Sequence, residues 1–164
     1  MLVSTIRDLI VSAERRVPEK AAIRYKKGKN EIETKTYAQL KADSEKFSAV
    51  LKNLGEQGQH VALVGATSYE WVVTYLGITN SGSVAVPLDV LLPAEDLCEL
   101  IDRSDATVFV VDEVRADVLA VVREHCPQLK YVISMQKTEH TDGILSFWQL
   151  MNAENAGFEC DIQP

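Results

Sequence analysis

Apolar residues recur along this chain with two alternating periods, and the switches between them mark out an ordered series of elements. Over residues 5–16 the spacing of Ile6, Leu9, Ile10 and Ala13 predicts one face of a helix, with Thr5 and Asp8 as a cap pair and Pro18 as its stop. Residues 21–25 and 31–35 are short extended runs on either side of the polar KKGKN, which predicts a β-hairpin at an edge. Thr36 and Gln39 then form a capping box for the most regular helix of the chain, in which Tyr37, Leu40, Phe47, Leu51 and Leu54 share a face and Gly55 ends the run. Burying such side chains stabilises by about 1.5–3 kcal/mol each, so this helix is expected to lie on a sheet.

The stretch GQHVALVGATSYEWVVTYLGITNSGSVAVPLD organises the rest. His60–Val64 is a short apolar run, Trp71, Val72, Tyr75, Leu76 and Thr79 follow at helical spacing, and residues 83–86 return to extended structure after Gly82. This is the pattern of a right-handed βαβ unit. Pro87 and Pro93 bracket an extended apolar segment, with Pro93 as the first residue of a helix whose inward face is Leu97, Leu100 and Ile101. Residues 107–111 form a continuous apolar run, as expected of a strand covered on both sides. A helix over 115–125 buries Val118, Leu119, Val121 and Val122, and Tyr131–Ser134 is another strand. Residues 136–143 are polar loop, Ser146 with Gln149 caps a short helix through Met151, and 152–164 shows no periodicity. The fold class is α/β, a mostly parallel open sheet with helices on both faces, preceded by a helix and a β-hairpin. No repeat or shift of composition divides the chain, so residues 1–164 are expected to be one α/β subdomain with an irregular tail over 152–164.

Composition narrows the function. The 164 residues are 46% hydrophobic and 25% charged, which suits a globular core. Twenty-four acidic against seventeen basic residues leave a net charge of -7, so no nucleic-acid partner is expected. Lys26, Lys27 and Lys29 read as a solvated hairpin tip. Cys98, Cys126 and Cys160 lack any CxxC spacing and His60, His125 and His140 do not cluster with them, so no metal site is expected and the thiols should be free and mostly buried. With no signal-peptide pattern and no apolar run of membrane-spanning length, the expected location is cytoplasmic.

Catalytic motifs are sparse. The turn Gly65-Ala66-Thr67-Ser68-Tyr69-Glu70 offers amides to an anion, but it has one glycine where a dinucleotide fingerprint has three, and Glu70 would repel phosphate. Thr67 with Glu70 is read as a capping box. There is no GxxxxGK[ST], no GxSxG and no nucleophile with a recognisable His and acid. Asp102 with Asp105, and Asp112 with Glu113, flank element ends where carboxylates usually serve as caps. Trp71 and Tyr75 are assigned to core packing. No catalytic, cofactor-binding or metal-ligating residue is assigned.

Two stretches nevertheless resemble the opening of the AMP-forming adenylating enzymes, the superfamily of acyl-CoA synthetases, luciferases and peptide-synthetase adenylation domains. Thr36-Tyr37-Ala38-Gln39-Leu40 is similar to the family's (L)TYxEL motif, with Gln39 for Glu and Lys35 for Leu. Asn80-Ser81-Gly82-Ser83-Val84-Ala85-Val86-Pro87-Leu88-Asp89 is similar to KAGxxxxPLD, with Asn80 and Ser81 for Lys-Ala. Glu70-Trp71-Val72 with Tyr75-Leu76-Gly77-Ile78, and the segment over 91–105, resemble the long-chain fatty acyl-CoA synthetase branch.

The resemblance implies the N-terminal portion of a larger ligase that uses ATP, magnesium and coenzyme A. That enzyme forms an acyl-adenylate from a small, fatty acid-like carboxylic acid and then an acyl thioester. The family's phosphate loop, adenine segment, ribose-binding Asp and catalytic Lys do not occur here, so the 164 residues alone are expected to bind no cofactor and to be inactive. Their expected partners are the remainder of the parent ligase and, through surface exposed by truncation, a second copy. The alternative is a free-standing Rossmann-like module that binds a small ligand near Gly65 or Asp112, or an interaction domain.

Overall fold

The computed structural model describes residues 4–27, 31–112, 115–140 and 143–152. Helix α1 (Ile6–Arg16) opens at Thr5, whose hydroxyl accepts from the Asp8 amide while the Asp8 carboxylate accepts from the Thr5 amide. Strands β1 (Ala21–Lys26) and β2 (Ile32–Thr36) pair antiparallel as a separate ribbon. The turn expected between them centres on residues 28–30, outside the described residues. Thr36 and Gln39 close the expected reciprocal cap on α2 (Tyr37–Asn53).

The remaining elements are β3 (His60–Val64), α3 (Tyr69–Asn80), β4 (Val84–Leu88), α4 (Ala94–Arg103), β5 (Val108–Val111), α5 (Ala116–His125), β6 (Tyr131–Ser134), β7 (Ile144–Ser146) and α6 (Phe147–Asn152). Strands β3 to β7 form one sheet in the order β4-β3-β5-β6-β7, and every neighbouring pair is parallel. Successive side chains of a strand point to opposite faces, and both faces here are apolar. Val61, Leu63, Val108, Val110 and Ile133 join a core with Leu40, Phe47 and Leu51 of α2 and Tyr69, Val73, Leu76 and Ile78 of α3. Ala62, Val64, Phe109, Val111 and Val132 join a second core with Leu97, Cys98 and Ile101 of α4 and Val118 and Val122 of α5.

Several boundaries and faces differ from expectation. The second strand of the βαβ unit runs through Pro87, because β4 is an edge strand and needs no ladder donor on its outer side. Pro93 is the cap of α4, not its first residue, and Leu100 is 38% exposed while Cys98 is buried in its place. Helix α5 begins one residue later than expected, after Arg115. The three-residue strand β7, just after the expected 136–143 loop, was not expected; it is too short to show a period and exists because β6 offers it an edge. Ser146 does cap α6, accepting from the Gln149 amide. The tail beyond Asn152 lies outside the described residues.

Helix α3 is rotated from its expected face. Tyr69, Val73, Thr74, Leu76, Gly77 and Asn80 are buried, while Trp71 and Tyr75 are only half-buried and stack on each other at 5.6 Å on the flank of the core. Gly77 sets this rotation. A Cβ on it would lie 2.8 Å from Phe47 Cβ and 2.9 Å from the Ser44 carbonyl oxygen, so α2 and α3 approach closely only at a glycine.

At the N-terminal ends of the strands, Glu56 is 2% exposed. Its carboxylate accepts from Thr107 Oγ1 at 2.6 Å and from Lys130 Nζ at 2.9 Å, tying the loop after α2 to the entries of β5 and β6. Replacing Glu56 with Ala strands the Thr107 hydroxyl and deletes a charge-assisted bond, with an expected loss of about 2–3 kcal/mol. Lys130→Met should cost less, because that ammonium is 58% exposed and partly solvated. Urea denaturation of both variants checks the order.

Candidate functional site

In open α/β sheets ligands bind beyond the C-terminal ends of the strands, where the strand order reverses. Here the reversal lies between β3 and β5, which places the crevice between the Gly65–Ser68 turn and Asp112. The sequence singled out both sides of it. The structure brings them together and fills the space with the protein's own groups.

The buried Asp112 carboxylate accepts from the Ala66 amide at 2.6 Å, so an amide free to hold an anion at a helix N-terminus is taken by an internal carboxylate. A Cβ on Gly65 would meet Met135 Cε at 2.8 Å and Asp112 Oδ2 at 2.9 Å, so any larger residue must displace these side chains. Helix α3 is capped by Ser68, not Thr67: the Ser68 hydroxyl accepts from the Trp71 amide at 3.1 Å, and Ser68 has the extended backbone of a cap residue. Glu70 lies in the first turn of α3, so the expected box with Thr67 does not form.

The neighbouring loops are closed by Arg115, which is 8% exposed. Its guanidinium donates to the carbonyls of Val90 and Leu92 at 2.7 and 2.6 Å and to the Asp117 carboxylate at 3.0 and 2.9 Å. The Asp117 contact holds Arg115 above the ordinary arginine range and lowers the Asp117 carboxyl. No periodicity marks Arg115 for this role, since its partners are backbone carbonyls of another loop.

The other candidates stay apart. Asp102 and Asp105 are exposed at the opposite end of the sheet, joined through the Asp105 amide donating to the Asp102 carbonyl, and Asp105 takes the left-handed conformation at φ 53. Glu113 and Cys160 lie outside the described residues. His60 bonds the Ser104 carbonyl, His125 the Val121 carbonyl and His140 accepts from the Ser146 amide, so each imidazole serves its local backbone. Among the described residues no group of three His, Cys, Asp or Glu side chains is placed to hold a metal ion, and no helix is long and apolar enough to cross a membrane.

A second concavity, of about 480 Å³, lies between the β1–β2 ribbon and α3, lined by Tyr25, Lys27, Glu33, Lys35, Glu70 and Trp148. Tyr25 stacks on Tyr69 at 5.7 Å, and Lys35 Nζ sits 5.2 Å over the Tyr69 ring. Tyr69 donates to Asp43 at 2.7 Å; burial, then that carboxylate, raises its phenol. Burial and Glu33 push the Tyr25 phenol up to about 12. Glu33 accepts from Lys35 at 2.7 Å and Lys27 at 3.0 Å, and these two bonds bring its carboxyl down from 4.5 to about 2.

The chain matches the family described as AMP-binding enzyme over residues 11–156. It is 35% identical over 89 residues to the nonribosomal peptide synthetase criC of Aspergillus cristatus, covering 54% of this chain and 4% of that protein. It is 30% identical over 82 residues to a D-alanine--D-alanyl carrier protein ligase of Streptococcus pyogenes, covering 49% of this chain and 16% of that one. Its fold superposes on the anthranilate CoA ligase AuaEII, solved in complex with anthranoyl-AMP, with a TM-score of 0.81 and 22% identity, covering 98% of this chain and 29% of that chain. The chain thus spans a small part of the relatives it matches.

Two expected outcomes follow from this geometry. Gly65→Ala should destabilise by about 1–2 kcal/mol, and by less when combined with Asp112→Ala, because one of the two colliding groups is then gone; a double-mutant cycle in urea reads the coupling. The depressed folded-state value of Glu33 makes its contribution to stability fully present above about pH 4.5 and lost as the pH falls towards about 2. Thermal melts of Glu33→Gln should therefore be flatter across that window than those of the parent chain.

Proposed function

This chain belongs to the AMP-binding enzyme family, and from that premise we propose that it forms the N-terminal α/β portion of an ATP-dependent acid:CoA ligase. The proposed enzyme joins a fatty acid-like carboxylate to AMP with release of pyrophosphate and then passes the acyl group to the thiol of coenzyme A. The match over residues 11–156 carries the adenylating part of this reading. The Glu70-Trp71-Val72 helix and the segment after Asp89, with their likeness to the fatty acyl branch, favour the substrate class.

ATP and magnesium would supply adenylyl activation in such an enzyme, and the residues described here do not fit them. The Ala66 amide is already bonded to Asp112, and a carboxylate at Glu70 sits in the same helical turn that a phosphate would approach. No step of the reaction is therefore assigned to a side chain of this subdomain. Its contribution is structural: the double-sided sheet is a rigid body against which the remainder of the ligase packs. The same filled crevice weighs against the alternative of a free-standing small-ligand module.

Exchange of labelled pyrophosphate into ATP tests the reading. The intact ligase is expected to catalyse exchange that depends on an added fatty acid, and the 164-residue chain alone to catalyse none. Exchange driven by an amino acid instead would overturn the fatty-acid assignment and keep adenylation. Exchange by the isolated chain would place the active site within it.

A further inference from the structure

We propose that Cys98 and Cys126 are an oxidisable thiol pair, in which Cys98 meets an incoming hydroperoxide and Cys126 closes the disulfide. Cys98 lies on α4, and Cys126 is the residue that ends α5, the helix packed beside it. The Cys126 thiol donates to the Cys98 carbonyl at 3.6 Å, which sets the two residues against each other in one core. Both are free thiols.

Access separates their roles. A groove of about 240 Å³ opens between α4 and α5, lined by Glu95, Cys98, Glu99, Asp102, Val121 and His125. Cys98 is part of the groove wall, though only 6% exposed, whereas Cys126 is 2% exposed and does not line the groove. Ionisation separates them in the same sense. Burial raises the Cys98 thiol and the contact with Cys126 draws it back, while burial and the neighbouring Cys98 push Cys126 up to about 12. Cys98 is thus the sulfur that ionises first, and Cys126 keeps its proton until the second step.

The chemistry balances with one hydroperoxide as oxidant. The Cys98 thiolate attacks the terminal oxygen, an S–O bond forms, the O–O bond breaks, and the departing alkoxide takes a proton to leave as alcohol, or as water from hydrogen peroxide. The Cys126 sulfur then attacks the Cys98 sulfenic acid; the S–S bond forms, the S–O bond breaks, and hydroxide leaves with the Cys126 proton as water. Two thiols lose two electrons in all, and one peroxide gains them. Glu95 on α4 disfavours the Cys98 thiolate and Asp102 that of Cys126; among the described residues, Glu99 on α4 and His125 on α5 are the other titratable groups of the groove wall. Oxidation is therefore expected to be slow near neutrality and to accelerate as the pH rises.

The test treats the intact protein with hydrogen peroxide at about pH 8.5, blocks the remaining thiols and maps the peptides by mass spectrometry. The expected product joins the Cys98 and Cys126 peptides, is lighter by two hydrogens and is reversed by dithiothreitol. Dimedone should label Cys98 in Cys126→Ala and leave Cys126 unlabelled in Cys98→Ala. A map in which both thiols stay free, or in which either pairs with Cys160, overturns the proposal. Label on Cys126 in the Cys98→Ala protein overturns the assigned order. The map of the unsubstituted protein needs neither variant, so a substitution that impairs folding leaves the test standing.

Discussion

Each parallel strand connection in this protein carries the chain across one face of the sheet, and those crossings must cover both faces because the strands are apolar on both. Val61, Leu63, Val108 and Val110 point to the α2–α3 layer, and Ala62, Val64, Phe109 and Val111 to the α4–α5 layer. Neither layer is dispensable, since removing one would return a full sheet face of valine, leucine and phenylalanine to water at about 25 cal/mol per Å². The caps, the glycines and the buried Glu56 carboxylate all serve that double covering. Gly77 lets α3 sit down on α2, and Glu56 pins the end of α2 to the strand entries through Thr107 and Lys130.

The same covering decides what the C-terminal edge of the sheet can do. The strand order reverses between β3 and β5, which in other open sheets leaves room for a ligand. Here Gly65 has no side chain, so Asp112 and Met135 move in against its backbone, and the Asp112 carboxylate takes the Ala66 amide. Arg115, the residue before α5, then ties that end of the sheet to the loop before α4. The crevice is filled by the protein's own carboxylate, in a chain that covers 29% of the solved ligase it superposes on.

Much of the fold was legible along the chain because its signals are local. The reciprocal caps at Thr5 and Thr36, the apolar runs of β3, β5 and β6, and the stops at Gly55 and Gly82 each need only neighbouring residues. The errors fall where a partner distant in sequence decides. Trp71 and Tyr75 have helical spacing with the core, yet the close contact of Gly77 with Phe47 turns α3 and leaves them on its flank. Strand β4 continues through Pro87 because it has a neighbour on one side only.

By itself the sequence determined the order of elements, the α/β class and the likeness to adenylating enzymes, since hydrophobic period, capping and motif order are written in consecutive residues. Only the tertiary structure decided that Gly65 and Asp112 close the switch-point crevice, that Arg115 reaches the carbonyls of Val90 and Leu92, and that the Cys126 thiol reaches the Cys98 carbonyl. Each of these contacts joins residues more than twenty positions apart. Strand order and helix rotation create them, and no local period encodes either.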